Sequence, residues 1–292
     1  MAFDRDADGP LVRIATHDVV LGGVDSTPRD IAMFDALAGL LPAGIEPWNF
    51  RLARDVVTRF AFPHMRPDLK PGGRRGAAGL DGFHGQHKDA IADLTDPHVR
   101  EQLMHAFAPK PGDVVLDCGS FLGFGALRMA QDAPGGRVIA VEASRACFAR
   151  LESNVARNAS GGVVARHAAI WSTEETRALN VTAAQANSLI AEIQDSDRAE
   201  PTPTATVDGL VRDHGLQRLD MLSLTLNGAE VEALAGATAT LRDLRPRVRA
   251  AGWYRRDGRL IAEIVKPVLQ RAGYTVHVGP HGNVLAVPEG SR

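Results

Sequence analysis

The period of the apolar positions changes several times along the chain, and each change marks an element. Residues 11–21, LVRIATHDVVL, hold short apolar clusters that predict one or two strands. The period then lengthens: Ile31, Phe34, Leu37 and Leu41 recur at helical spacing behind Thr27 as N-cap, Pro28 at the first helical position and Asp30 in the first turn. A second amphipathic helix is predicted over 47–60, with Trp48, Leu52, Val56 and Phe60 as its core stripe. Residues 62–88 follow neither period, and proline, glycine, arginine and histidine dominate there. Loops of that length are usually lids, binding loops or disordered segments. A third helix is expected behind Asp96 and Pro97, with Val99, Leu103 and Phe107 facing inward.

The clearest pattern begins at residue 113. DVVLDC reads as a buried strand, GSFLGFG as a turn and ALRMAQ as a helix. Gly135 and Gly136 break that helix, and RVIAV forms a second strand closing on Glu142, which completes a βαβ unit. Ser144 is the expected N-cap of a helix over 144–158, and VVARHAAI at 163–170 is the third strand. Residues 171–206 read as an excursion: strand-like RALNVT, helical TAAQANSLIAEIQ, then a polar Pro/Thr linker. RLDMLSLTLNGAEVEALAGATATLRDLRPRVRAAGW predicts strand, helix, strand, and a helix over 259–272 follows. YTVHVG and NVLAVP flank a Pro280-His281-Gly282 turn, too short a connection for parallel strands, so they must pair antiparallel. The expected fold is α/β, a Rossmann-like sheet, mostly parallel with an antiparallel C-terminal hairpin, behind an N-terminal mainly helical extension. Residues 1–108 are expected to be a helical lid region that covers substrate, and 109–292 the ligand-binding domain.

Composition narrows the class. The chain has 292 residues, 45% hydrophobic and 23% charged, which suits a soluble globular protein with a real core. Its formal charge of −2 and scattered Lys and Arg indicate no polyanion surface, so no nucleic acid is expected. No apolar run reaches ~18 residues, so no membrane span is expected. Cys118 and Cys147 have no metal-ligand spacing, and two cysteines make no disulfide framework. A reducing, cytoplasmic location follows as the expectation.

Candidate chemistry gathers at the 113–142 unit. Gly119, Gly123 and Gly125 stand where the backbone turns tightly and approaches a ligand. Glu142, closing the second strand, suits a ribose, because a carboxylate accepts from two hydroxyls at once. Dinucleotide sites read G-x-G-x-x-G, whereas the glycines here run G-x-x-x-G-x-G. D-x-G-x-x-x-G ahead of a ribose-binding acid instead resembles motif I of class I S-adenosylmethionine-dependent methyltransferases. Asp117 beside the turn suits that cationic donor electrostatically.

Residues 111–285 resemble the FkbM family of these methyltransferases, known mainly for O-methylating natural products and sugars. PGDVVLDCGSFLGFGALRMA stands where the family has a strand and a D-x-G-A-N-x-G turn. TVDGLVRDHGLQRLDMLSLTLNGAEVEALAGA is similar to its T-L-D-x-L and K-I-D-V-E-G-A-E-x-x-x-L-x-G-A segment, and RAGYTVHV to the glycine–tyrosine before the hairpin. The resemblance implies S-adenosylmethionine as cofactor, held by Asp117, Gly119, Ser120, Phe121, Leu122 and Gly123, by Glu142, Ala143 and Ser144, and by Ala168 and Ala169 beside the adenine. At K-I-D-V-E-G this chain reads Ser223-Leu224-Thr225-Leu226-Asn227-Gly228, and of that segment's acids only Glu230 survives. Hard cations want carboxylate oxygens, and neither threonine nor asparagine titrates usefully near neutrality. No metal is therefore expected. Either the acceptor is already anionic or His84 or His87 supplies the base, while Thr225 and Asn227 orient the reactants. Arg74 and Arg75 are read first as solvated loop charges, with a grip on an acidic substrate as the alternative. The expected partner is a small-molecule methyl acceptor, and a homodimer is allowed. Two other readings stay open: a catalytically degenerate cofactor-binding module that serves a partner protein, and a nicotinamide oxidoreductase.

Overall fold

The structure, a computed structural model, describes residues 2–6, 9–14, 19–22, 96–158, 161–181, 187–193, 198–279 and 282–290. The helices expected over 27–41 and 47–60, and the 62–88 segment with Arg74, Arg75, His84 and His87, lie outside those residues.

The first described elements are strands: β1 (Ala2–Asp6), β2 (Gly9–Ile14) and β3 (Val19–Gly22) form an antiparallel meander. Helix α1 (Pro97–Ala106) begins as its sequence requires, with Pro97 at the first position and the Asp96 carboxylate accepting from the N–H groups of His98 (2.9 Å) and Val99 (3.3 Å). The central unit follows as β4 (Val114–Cys118), α2 (Phe124–Asp132), β5 (Arg137–Glu142), α3 (Arg145–Arg157) and β6 (Val163–His167). A side layer holds β7 (Ala169–Ile170), β8 (Thr176–Asn180) and β9 (Ala199–Ala205). The chain then runs α4 (Val207–Asp213), β10 (Met221–Leu224), α5 (Glu230–Ala235), α6 (Thr238–Asp243), β11 (Arg247–Ala250), a short β12 (Arg255–Arg256) and β13 (Arg259–Leu260) pair, α7 (Ile261–Arg271), β14 (Tyr274–Val278) and β15 (Val284–Pro288).

Seven strands form the main sheet in the order β14-β15-β11-β10-β4-β5-β6. The pairs from β11 to β6 are parallel, and β15 pairs antiparallel with both β11 and β14. This is the expected parallel sheet ending in an antiparallel hairpin. Its interior strands read as near-continuous apolar runs because both faces are covered. Leu103, Val115, Leu127, Val138, Leu151 and Met221 pack on one face; Leu116, Ile139, Leu222, Val248, Val265 and Leu269 pack on the other. The chain leaves β6 at one edge and returns as β10 on the far side of β4. The switch point therefore lies at the carboxyl ends of β4 and β10, where open α/β sheets collect their ligands.

Three expectations change in the 163–206 region. The third strand divides at Ala168: Val163–His167 stays in the main sheet and Ala169–Ile170 pairs with β9 instead. The stretch expected to be helical, TAAQANSLIAEIQ, is described at 187–193. There Ser188 bridges to Asn180 and a turn follows, held by tertiary contacts that outweigh local helix propensity. The expected Pro/Thr linker is strand β9. Its even-numbered residues take the hydrogen-bonded positions opposite β8, as in Thr204 N to Glu175 O (2.7 Å). Pro201 and Pro203 therefore fall where an N–H would point away from β8, toward the side on which β7 reaches only Thr204 and Ala205. Alternation makes the prolines harmless there.

Candidate functional site

The β4–α2 turn is shaped by close packing of backbone on backbone. Gly119 has φ +85°, and a Cβ there would overlap the carbonyl oxygen of Thr225, whose own N–H donates to Cys118 O (2.9 Å). Gly123, at φ +89°, is the N-cap of α2, and a Cβ on it would meet the Leu151 side chain. Phe121, between them, also lies at positive φ, +51°. The N–H groups of Gly119 (2.9 Å) and Ser120 (3.0 Å) both donate to Val141 O, and buried Asn154 donates from Nδ2 to Leu122 O (2.8 Å). The glycines are thus demanded by packing within the chain itself, where the sequence pointed to a ligand. Gly125 lies inside α2 and is not required by the turn, since a Cβ there would stand 4.0 Å from Asp117 Oδ2.

Glu142 closes β5 as expected and is almost wholly buried. Its Oε2 accepts from Phe121 N (2.9 Å) and its Oε1 from Ser144 N (2.9 Å), so one carboxylate ties the glycine turn to the β5–α3 turn. Burial pushes the Glu142 carboxyl up to about 7. The N–H groups of Ser144, Phe121 and Ala143 pull against that rise, and the Asp117 charge adds to it. Each carboxylate oxygen has two acceptor positions, so this arrangement can still receive two hydroxyls. Beside it, Ala168 N donates to Glu142 O (3.1 Å) and His167 Nε2 donates to Ala143 O (3.0 Å). Ala168, Ala169 and Ser144 are buried at the same strand ends. The eleven residues that the sequence singles out for the cofactor therefore gather at the carboxyl ends of β4, β5 and β6.

A row of three polar side chains crosses the sheet at the next position. Asp117, Ser223 and Arg249 are in register on β4, β10 and β11. Arg249 donates from Nε to Ser223 Oγ (2.9 Å), and its NH2 lies 3.9 Å from Asp117 Oδ1. Ser120 Oγ donates toward Asp117 Oδ2 and O, each at 2.8 Å. Burial lowers the pKa of Arg249, opposed by the Asp117 charge. Arg249 is the residue that sequence reasoning missed. Its one signal was that Ser223 stands at a position where the resembling family has lysine.

Thr225 and Asn227 lie past the end of β10. Thr225 lines a small pocket with Arg249, Trp253 and Asn283 at the carboxyl ends of β10 and β11. Asn227, at φ +50°, is a clamp: its Nδ2 donates to Asn187 O (2.8 Å), its Oδ1 accepts from Tyr254 OH (3.0 Å), and its backbone oxygen accepts from Ser188 Oγ (2.8 Å). Ile193 fills the space where a Gly228 Cβ would stand. Fully buried Glu230 accepts from Leu226 N (2.8 Å) and Gly228 N (3.0 Å), which holds this turn in shape. Burial pushes its carboxyl up to about 7, opposed by the N–H groups of Leu226, Glu230 and Gly228 and helped by Glu232. Residues 187–193 are thereby latched against the turn that follows the carboxyl end of β10. His84 and His87 lie outside the described residues. Among the described residues, no group of three or more His, Cys, Asp or Glu is arranged to hold a metal ion, and no helix is long and apolar enough to cross a membrane.

The family model described as the methyltransferase FkbM domain matches residues 117–276. Among solved structures, a methyltransferase FkbM from Methylobacillus flagellatus KT is similar at 12% identity and a TM-score of 0.46. The match covers 72% of this chain and 60% of that one, so this chain spans less than two thirds of that protein. Fibrillarin from Aeropyrum pernix, with natively bound S-adenosyl-L-methionine, is similar at 14% identity and a TM-score of 0.45, over 71% of this chain and 76% of that one. An O-methyltransferase from Bacillus cereus, in complex with SAH, is similar at 15% identity and a TM-score of 0.41, over 82% of this chain and 100% of that one. No curated protein matches the chain.

Proposed function

The chain belongs to the FkbM methyltransferase family, and from that premise we propose that it transfers a methyl group from S-adenosylmethionine to an oxygen of a small, natural-product-like molecule, a hydroxyl or a carboxylate. The observation that carries this reading is Glu142. A buried carboxylate closes the second strand, ties down the glycine turn through Phe121 N and keeps acceptor capacity for two ribose hydroxyls. Asp117, one strand over and buried, supplies the negative charge that a cationic donor needs.

When bound, S-adenosylmethionine supplies a methyl carbon activated by a sulfonium. The chain's own contribution is positioning, since holding two reactants in near-attack geometry accounts for most of the acceleration in an in-line displacement. Thr225 faces the pocket at the end of β10, where its hydroxyl orients the acceptor. Asn227 acts through the segment it clamps, because both ends of its amide are bonded to Asn187 and Tyr254. Ser223, Thr225 and Asn227 offer no titrating base. An acidic oxygen as acceptor, or a base from His84 or His87, completes the reading. Cys118 and Cys147, both buried and outside any disulfide, are compatible with work in a reducing cytoplasm.

A thermal-shift comparison tests the donor. S-adenosylmethionine and S-adenosylhomocysteine at 100 times their dissociation constants are expected to add ~2.7 kcal/mol, or several degrees, while NAD(H) and NADP(H) add nothing. A shift with a nicotinamide alone would sink the proposal. The loss of acids on β10 also favours a second reading, a donor-binding module that serves a partner protein, and turnover of any acceptor excludes it. Asn227→Ala is expected to cost about 1–2 kcal/mol of stability, since it removes two hydrogen bonds and places alanine at positive φ. It should raise KM for the acceptor more than it lowers kcat. Unchanged kinetics together with unchanged Thr225→Ala turnover would remove both residues from the acceptor side.

A further inference from the structure

We propose that the acceptor is a phenol, its ring held against the indole of Trp253 and its hydroxyl turned to Thr225. This rests on the methyl-transfer reading above and names, for the same site, the acceptor's chemical class and the side chain that selects it.

The pocket at the carboxyl ends of β10 and β11 has an apolar floor. Leu224, Ala250 and Val284 stand in register across β10, β11 and β15, and all three are buried. The backbone there is already paired, with Ala251 N donating to Leu224 O (2.8 Å) and Thr225 N to Cys118 O (2.9 Å). Among the described residues that line the pocket, polar side chains come from Thr225, Asn283 and Arg249. Arg249 is engaged by Ser223 Oγ (2.9 Å) beside Asp117.

Trp253 forms the wall. A Cβ on Gly252 would overlap Gly282 O, and one on Gly282 would press on Trp253 Cα (3.0 Å), so the backbone beside the indole is fixed against the β14–β15 turn. The Tyr254 ring lies 6.2 Å away at 40°, and its hydroxyl is committed to Asn227 Oδ1 (3.0 Å). Trp253 is partly buried in this setting. A held indole has little side-chain freedom left to lose when a ring stacks on it.

The lining discriminates between acceptors. A sugar carries hydroxyls on every edge, and several would meet the apolar floor without a hydrogen-bond partner, which is costly for a buried group. An aromatic ring buries its apolar faces on such a surface and needs one polar contact, at its hydroxyl. The proton chemistry agrees. Ser223, Thr225 and Asn227 bring no titrating base, and a phenol has a pKa of about 10, well below that of an aliphatic hydroxyl. Methylation of the phenol oxygen exchanges the donor's carbon–sulfur bond for a carbon–oxygen bond and passes the phenol proton to water.

Isothermal titration of the full chain loaded with S-adenosylhomocysteine, using 4-nitrophenol and methyl α-D-glucopyranoside as probes, tests the class. Wild type is expected to bind 4-nitrophenol and not the glucoside. Trp253→Leu, which keeps apolar bulk and removes the aromatic face, should weaken 4-nitrophenol about three- to tenfold, the contribution of one aromatic pair. Trp253→Phe should restore it to within about twofold by the same scale, and neither variant should change S-adenosylhomocysteine affinity. Should Trp253→Leu fail to fold, saturable quenching of indole emission by the bound nitro ring in wild type, lost in Trp253→Phe, reads the same contact. Binding of the glucoside, absence of 4-nitrophenol binding to the loaded protein, or equal affinity in Trp253→Leu would each overturn the proposal. Wild type that takes up no S-adenosylhomocysteine would instead overturn the donor reading, and the phenol assignment with it, already at the loading step.

Discussion

Gly119→Ala is expected to destabilise the protein by about 2–4 kcal/mol and to abolish measurable binding of the donor. Two terms add. At φ +85° an L-residue meets the left-handed penalty of roughly 1–2 kcal/mol. The new methyl would also overlap the backbone oxygen of Thr225, and forced overpacking costs about 1–3 kcal/mol. The obstacle is backbone and not the tip of a side chain. Thr225 N is held by Cys118 O, so β10 can recede only by giving up its pairing with β4. Gly112→Ala is the matched control, because φ is +80° there and nothing lies within 4 Å of the added Cβ. It should show the conformational term alone, about 1 kcal/mol. Urea unfolding of both variants measures the difference, and equal losses would remove the clash with Thr225 as the reason for glycine at 119.

Glu142 should make stability and donor affinity respond to pH in opposite directions. Its folded carboxyl lies at about 7 against an ordinary 4.5, so the native state holds its proton more tightly than the unfolded chain does. Stability contributed this way is fully present below 4.5 and is lost as pH rises through about 7, and Glu230 behaves alike. Free protein should therefore unfold more readily at pH 7.5 than at pH 5, by about 2 kcal/mol for each group. Glu142→Gln should remove roughly half of that slope. Ribose hydroxyls need the ionised form as acceptor, so donor affinity should fall as pH drops below about 7, approaching tenfold per pH unit. Glu142→Ala should cost ~1.5–3 kcal/mol of donor affinity at pH 8. A flat stability profile in wild type would refute the raised carboxyl, and an unchanged dissociation constant in the alanine variant would take Glu142 out of the site.

Much of this protein is written in local pattern. The βαβ unit is announced by an apolar strand, a glycine turn, a helix and a strand closing on Glu142. The antiparallel hairpin at β14–β15 follows because a turn that short can join strands in no other way. Helix α1 is announced by Asp96 and Pro97. Each of these depends on residues a few positions apart, so a linear reading reaches them. The same holds for the eleven cofactor candidates, which sit at the ends of consecutive strands and gather wherever such strands lie side by side.

The rest depends on partners distant in sequence. TAAQANSLIAEIQ has helical composition, but over 187–193 it is held in a bridge and a turn by Asn227, forty residues on, and by the space above Gly228. The prolines of β9 look like a linker until the register with β8 places their missing N–H groups where no bond is needed. Asn227 reads as a reactant-orienting amide, and its partners Asn187 and Tyr254 make it a clamp. Asp117 precedes Ser223 and Arg249 by more than a hundred residues of chain, and the three meet because β10 inserts beside β4 after the crossover. Local propensity and spacing act within a turn or two, so the sequence alone was enough for the βαβ unit, helix α1 and the class of the main sheet. Which charges face each other across strands is set by sheet order and register, and only folding brings those together.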